Sequence, residues 1–136
     1  MNPDPEQPQQ TSNQKYFPQG FFEALGEEKI RELVKIFYSY LIQSSLRPMF
    51  PDDIQESEIK AADFMIQVMG GPKYYLEKRG PARMRARHLP FAIDEKARKE
   101  WMSCYRQALD DIEMSEENKN HIWNFLEEQS RWMVNR

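Results

Sequence analysis

Near its middle the chain reads Gly70-Gly71-Pro72. No helix crosses that break intact, because two glycines lose extra backbone entropy and proline has no N–H to donate. Apolar residues recur at helical spacing on both sides of it, so the chain is read as several helices packed across a central interruption. From Lys78 to His88 there are five basic residues, Lys78, Arg79, Arg83, Arg85 and Arg87, and no acidic one, although the formal net charge of the protein is −3. A local excess of this kind predicts an anionic partner at this stretch and no general affinity for nucleic acid or an acidic membrane.

Residues 1–15 hold three prolines and no large apolar side chain after Met1, and are predicted to form a flexible tail ahead of one domain over 16–136. Residues 16–25 carry Tyr16, Phe17, Phe21, Phe22 and Leu25, a short docking segment. Ile30, Leu33, Val34, Phe37, Tyr38 and Leu41 predict an amphipathic helix over 27–43. Pro48 and Pro51 then turn the chain around Phe50, which is expected to point inward. A helix over 57–69 is apolar on most of its circumference and should be buried on two sides. A short helix over 73–78, a loop over 79–82 and a turn or two ending near His88 follow. Asp94 is expected to cap a long helix with the stripe Ala97, Trp101, Cys104, Tyr105, Ala108 and Ile112. An acidic hinge over 110–117 leads to a last helix that starts at Ser115 and faces inward with Ile122, Phe125, Leu126 and Met133. The count is an all-α domain.

One cysteine cannot make an internal disulfide, and no leader or bilayer-length apolar run stands out, so the expected home is the cytoplasm. The chain has two histidines and no nucleophile elbow, phosphate loop or Cys-x-x-Cys. A zinc site would have to recruit Cys104, His88 and His121 from distant segments. A lone histidine after basic residues is more often structural than a ligand, and a basic run is more often a solvated face. A haem iron, however, needs only one neutral imidazole from the protein on its proximal side. Nearby cations could then meet its propionates, and Phe, Met and Trp its ring.

The residues Phe37-Tyr38, Phe50-Pro51-Asp52-Asp53, Phe64, Gly70-Gly71-Pro72 with Tyr75, Lys78-Arg79-Gly80, the run from Arg83 through Arg87-His88-Leu89-Pro90-Phe91-Ala92-Ile93, and Trp101 thirteen positions after the histidine resemble the truncated haemoglobins, in particular their second group. The resemblance spans roughly residues 20–133. It implies a globin-like two-on-two helical sandwich around one haem b per chain, bound non-covalently because no Cys-x-x-Cys-His is present. By that resemblance His88 is the proximal iron ligand and Tyr38, Trp101, Ser57 and Ala61 form the distal site. The haem-binding set is Phe37, Phe50, Lys60, Phe64, Met65, Tyr75, Met84, Arg87, Phe91 and Ile93, with Lys60, Tyr75 and Arg87 on the propionates.

Two positions depart from the family pattern. Ser57 and Ala61 stand where globins often carry histidine or glutamine and a bulkier gate, which implies a roomy pocket. Phe50 lacks the hydroxyl of relatives with tyrosine there, so distal hydrogen bonding should rest on Tyr38 and Trp101. The implied function is reversible binding of O2 and other diatomics, CO and NO, for oxygen transport or storage, by a monomer or weak homodimer. Two other readings stay open on the residues: a haem-dependent enzyme detoxifying nitric oxide or peroxide with a reductase, and a haem-free helical module whose basic loop binds an anion.

Overall fold

Asp53, Asp94 and Ser115 each stand in extended backbone, and their side chains accept from the N–H groups of Gln55, Ala97 and Asn118. Each cap satisfies an N–H that its helix cannot. In the computed structural model, which describes residues 15–136, these caps open the three helices α3 (Ile54–Val68), α6 (Glu95–Asp111) and α7 (Glu116–Met133). The remaining helices are α1 (Phe21–Leu25), α2 (Glu27–Leu41), α4 (Tyr74–Arg79) and α5 (Met84–His88), with a 3-10 turn at Arg47–Met49. No strand occurs among the described residues. The tail expected over 1–15 lies, apart from Lys15, outside them.

α2 packs on both α3 and α6, and α6 packs on α7, so one helix pair lies against another in the two-on-two arrangement. The seam is apolar: Ile30, Leu33, Val34, Phe37 and Leu41 of α2, Ile66 of α3, Leu109 of α6, and Ile122 and Leu126 of α7 are all at most 2% exposed. Burying each such side chain contributes about 1.5–3 kcal/mol. The short helices are peripheral, α4 on α3 and α5 on α7.

The central break has a specific cause. Gly70 ends α3 with φ of +101°, in the left-handed region that glycine enters freely, and a Cβ on Gly71 would meet the Phe22 ring at 2.7 Å and Ile66 at 2.8 Å. The two glycines therefore let the chain turn back directly against α1 and α3. Several helix ends differ from the sequence reading by one to three residues: α2 stops at Leu41 rather than 43, and α4 runs Tyr74–Arg79 rather than 73–78. α3 begins three residues earlier than the expected position 57, because Asp53 supplies the cap, and α6 continues through Asp111 into the expected hinge.

Two of the five cations in the basic run meet an internal anion. Asp63 sits in the middle of α3 with no solvent exposure. Its Oδ1 accepts from Arg31 Nη2 at 3.1 Å, and its Oδ2 accepts from Lys78 Nζ at 3.2 Å and Arg79 Nη1 at 3.0 Å. Arg79 also meets Glu56 at 3.3 Å, and Arg31 meets Glu27, which accepts a hydrogen bond from Tyr74. One carboxylate thus ties α2, α3 and α4 together. Burial alone would push the Asp63 carboxyl up, but the hydrogen bonds from Arg79, Arg31 and Lys78 outweigh it and hold it below the ordinary carboxylate range.

Asp63→Asn is therefore expected to destabilise the protein. The Arg31 and Lys78 side chains are 37% and 54% exposed and can turn to water, so the cost is about 2 kcal/mol rather than the 3–5 of a fully enclosed pair. Because the folded carboxyl titrates below the unfolded one, the stabilisation is complete above about pH 4 and disappears as the pH falls through the folded value. Thermal melts should show the variant well below wild type at pH 7, with the two curves converging in acid. Equal melting temperatures at pH 7 would show that the ion cluster adds nothing.

Candidate functional site

The site is built from the segment that follows the central break. Gly80 and Pro81 end α4, and Arg83 opens α5 with φ of 44° and ψ of 51°, a left-handed conformation that an L-residue adopts at a cost of about 1–2 kcal/mol. The bend is held by Arg87, whose Nε donates to the Ala82 carbonyl at 2.6 Å and whose Nη2 donates to the carbonyls of Pro81 at 3.1 Å and Arg79 at 3.2 Å. The same guanidinium lies over the Tyr75 ring, 5.6 Å from its centroid. Arg87, expected on a propionate, thus has a backbone task on the loop before α5.

His88 is the last residue of α5 and is half-buried. Its Nδ1 lies 2.6 Å from the Met84 carbonyl oxygen, which can only accept, so Nδ1 carries the proton. That bond leaves Nε2 as the ring nitrogen without this partner and holds the imidazole in one direction. Large apolar side chains flank it in the open: Leu89 is 46% and Phe91 43% exposed, while Met84 and Ile93 are half-buried.

A second group of residues comes together from α2, α3 and α6. Tyr38 is buried, and its ring meets Phe37 edge-on at 5.1 Å and Phe50 at 6.0 Å. Phe37 stacks on Tyr105 at 3.8 Å and meets the edge of Trp101 at 5.7 Å. The Tyr38 hydroxyl donates to the Ser57 carbonyl across 3.3 Å, longer than an ordinary O–H···O bond and correspondingly weak. Burial, aided by the nearby charge of Glu58, pushes the Tyr38 phenol well above its usual range, so it stays protonated and able to donate.

On α3, Ser57, Lys60, Ala61 and Phe64 share one face by i, i+3 and i+4 spacing, and none of them is fully buried. Lys60 is exposed on this face. Phe64 meets Tyr75 at 5.9 Å, and through Tyr75 that face is linked to Arg87. Met65 lies instead with the buried side chains Ala62, Ile66 and Met69. Phe37, Met65 and Tyr75 are buried, at 2%, 3% and 4% exposure.

The family model of the bacterial-like globins matches residues 20–135. This chain belongs to that family. Its relatives place it in the second group of truncated haemoglobins. A group 2 truncated haemoglobin of Bacillus subtilis is 38% identical over 115 residues, which cover 84% of this chain and 87% of the relative. The X-ray structure of a truncated oxygen-avid haemoglobin from Bacillus subtilis aligns with a TM-score of 0.81 at 38% identity, covering 84% of this chain and 98% of that one. A group II truncated haemoglobin from Bacillus anthracis aligns with a TM-score of 0.81 at 41% identity over 84% and 89% of the two chains.

In this truncated haemoglobin the residues expected at the site fall into two groups far apart in sequence, α5 with its following loop and the faces of α2, α3 and α6. Two structural residues near these segments lay outside the sequence reading. Asp63 carried a signal, since a lone carboxylate inside an apolar helix must find cations. Asn135 carried none, being one polar residue among others after a helix. The haem-free reading of the basic loop loses its ground, because Lys78 and Arg79 are neutralised by Asp63 within a globin.

Proposed function

We propose that this globin binds one haem b per chain without a covalent link, with His88 as proximal ligand, and reversibly takes O2, CO and NO on the opposite side. The observation that carries the reading is the His88 ring. Its Nδ1–H is engaged by the Met84 carbonyl at 2.6 Å, so the ring is held in one direction and Nε2 is the nitrogen left to meet the iron. The surroundings fit a haem: apolar Leu89 and Phe91 stand exposed beside the imidazole, and cationic Lys60 and Arg87 are accessible where carboxylates could meet them.

When bound, the haem supplies an iron centre with one position for a diatomic ligand. The chain's own part is to hold that centre and set the polarity around the ligand. His88 anchors, Phe64 and Phe50 exclude water, and Tyr38 offers a phenolic proton held only loosely by Ser57. Ser57 and Ala61, both small, leave room at the open face of α3. Trp101, half-buried at the edge of Phe37 and Tyr105, offers an indole N–H as a second donor. Cys104 is buried with its thiol pushed up by burial, an inert core residue compatible with a reducing cytoplasm.

The test is the visible absorption spectrum of the purified chain after addition of haem. A Soret band that shifts on reduction and again with CO is expected, at one haem per chain. A chain that returns free haem unchanged on a desalting column would defeat the reading.

A further inference from the structure

α7 ends at Met133, and two residues later Asn135 lies against the loop that leaves His88. Four hydrogen bonds join it to that loop. Its backbone N–H donates to the Ile93 carbonyl at 2.9 Å, and the Ile93 N–H donates back to its Oδ1 at 3.0 Å. Its Nδ2 donates to the Phe91 carbonyl at 2.9 Å and to the carbonyl of His88 itself at 3.3 Å. The oxygen and both protons of one primary amide are thus in use. Aspartate offers no N–H for the two carbonyls, and alanine offers nothing.

The segment so held cannot hold itself. α5 has five residues, too few for a helix to persist without outside ties, and its last carbonyls have no partner within it. Arg87 laces the chain before it to the carbonyls of Ala82, Pro81 and Arg79. Asn135 fastens the chain after it. His88 lies between these ties, and because its Nδ1 is bonded to Met84 of the same helix, the ring turns with α5.

We propose that Asn135 is a positioning residue for the proximal ligand: by fixing the end of α5 and the loop to Ile93, it sets the direction in which His88 Nε2 meets the iron. The proposal rests on His88 being that ligand. It assigns to a residue 47 positions away in sequence a part in the strength and geometry of the iron–histidine bond.

The experiment compares the full chain with Asn135→Ala, Asn135→Asp and, as a neighbouring exposed control, Arg136→Ala. Three quantities are read: amide hydrogen exchange at Ile93 in the haem-free protein, the iron–histidine stretching band in the ferrous resonance Raman spectrum, and haem transfer to an apo-acceptor. Asn135→Ala, which removes the acceptor, is expected to exchange the Ile93 amide about tenfold faster, and Asn135→Asp, which keeps an oxygen for that amide but lacks both N–H donors, is expected to speed it less. Both variants should also shift or broaden the iron–histidine band and lose haem roughly tenfold faster, while Arg136→Ala matches wild type on all three. Asn135→Ser, which keeps one donor and one acceptor, should fall between and serves if the others do not fold. Faster Ile93 exchange with an unchanged iron–histidine band would overturn the proposal, leaving Asn135 a loop fastener only. Unchanged exchange would overturn it by showing no latch in solution. A wild-type chain with no Soret band would overturn the haem reading and this proposal with it, while the Ile93 exchange would still report the latch.

Discussion

Replacing His88 with glycine is expected to remove the five-coordinate ferrous spectrum, and free imidazole is expected to restore it. The substitution deletes the base whose Nε2 is left available by the Nδ1–Met84 bond, and it leaves a space of imidazole shape at the end of α5. Haem loss should rise by more than the roughly 10- to 100-fold that removal of a supporting partner of a metal ligand costs. Met84, Phe91 and Ile93 stay in place, so added imidazole has a lined site to occupy. His121→Ala is the matched control. That histidine sits on α7 beside Glu117 at 3.9 Å and against the edge of Phe21, and its loss should leave the spectrum unchanged. A normal ferrous spectrum in His88→Gly, with loss in His121→Ala, would reverse the assignment.

The second large effect concerns the opposite side. O2 bound to ferrous haem draws more negative charge than CO, so a hydrogen-bond donor aimed at the ligand stabilises O2 selectively. Tyr38 is proposed as such a donor. Its phenol remains protonated, and its present bond to the Ser57 carbonyl, at 3.3 Å, is weak enough to be exchanged for a better acceptor. Trp101 is the other, whereas Phe50, Phe64 and Ala61 have no proton to give. A hydrogen bond to a charged acceptor contributes about 1.5–3 kcal/mol, which is roughly ten- to a hundredfold in dissociation rate. Tyr38→Phe and Trp101→Phe should each speed O2 release, and the double variant most, since one donor can cover for the other. CO release should change far less. Stopped-flow displacement of O2 by CO, and of CO by NO, measures both, and a double variant that releases O2 at the wild-type rate would remove these residues from the distal site.

Much of the fold was legible before any coordinates. The stripe from Ile30 to Leu41, the caps at Asp94 and Ser115 and the Gly70-Gly71 break all follow from interactions within a few residues, and all three appear as expected. The short basic helix that ends at His88 was also legible, from the turn or two expected before Pro90. The charges were read less well. Five cations without an acid nearby in sequence implied an external anion, yet Lys78 and Arg79 find theirs in Asp63, a full turn-and-break away on α3.

The difference is one of range. Periodicity, capping and glycine conformation are short-range properties, so the order of residues determines them wherever the helix later goes. Which carboxylate neutralises which cation and where Asn135 lands depend on how α3, α4, α5 and α7 are set side by side. Those partners lie 15, 16 and up to 47 positions apart, and no local pattern encodes the distance. Burial by the packed helices makes such pairings obligatory, since a buried charge or amide left without a partner is too costly to keep. Sequence therefore places the His88 imidazole at the end of a short helix, and the fold that closes around both ends of α5 sets its direction.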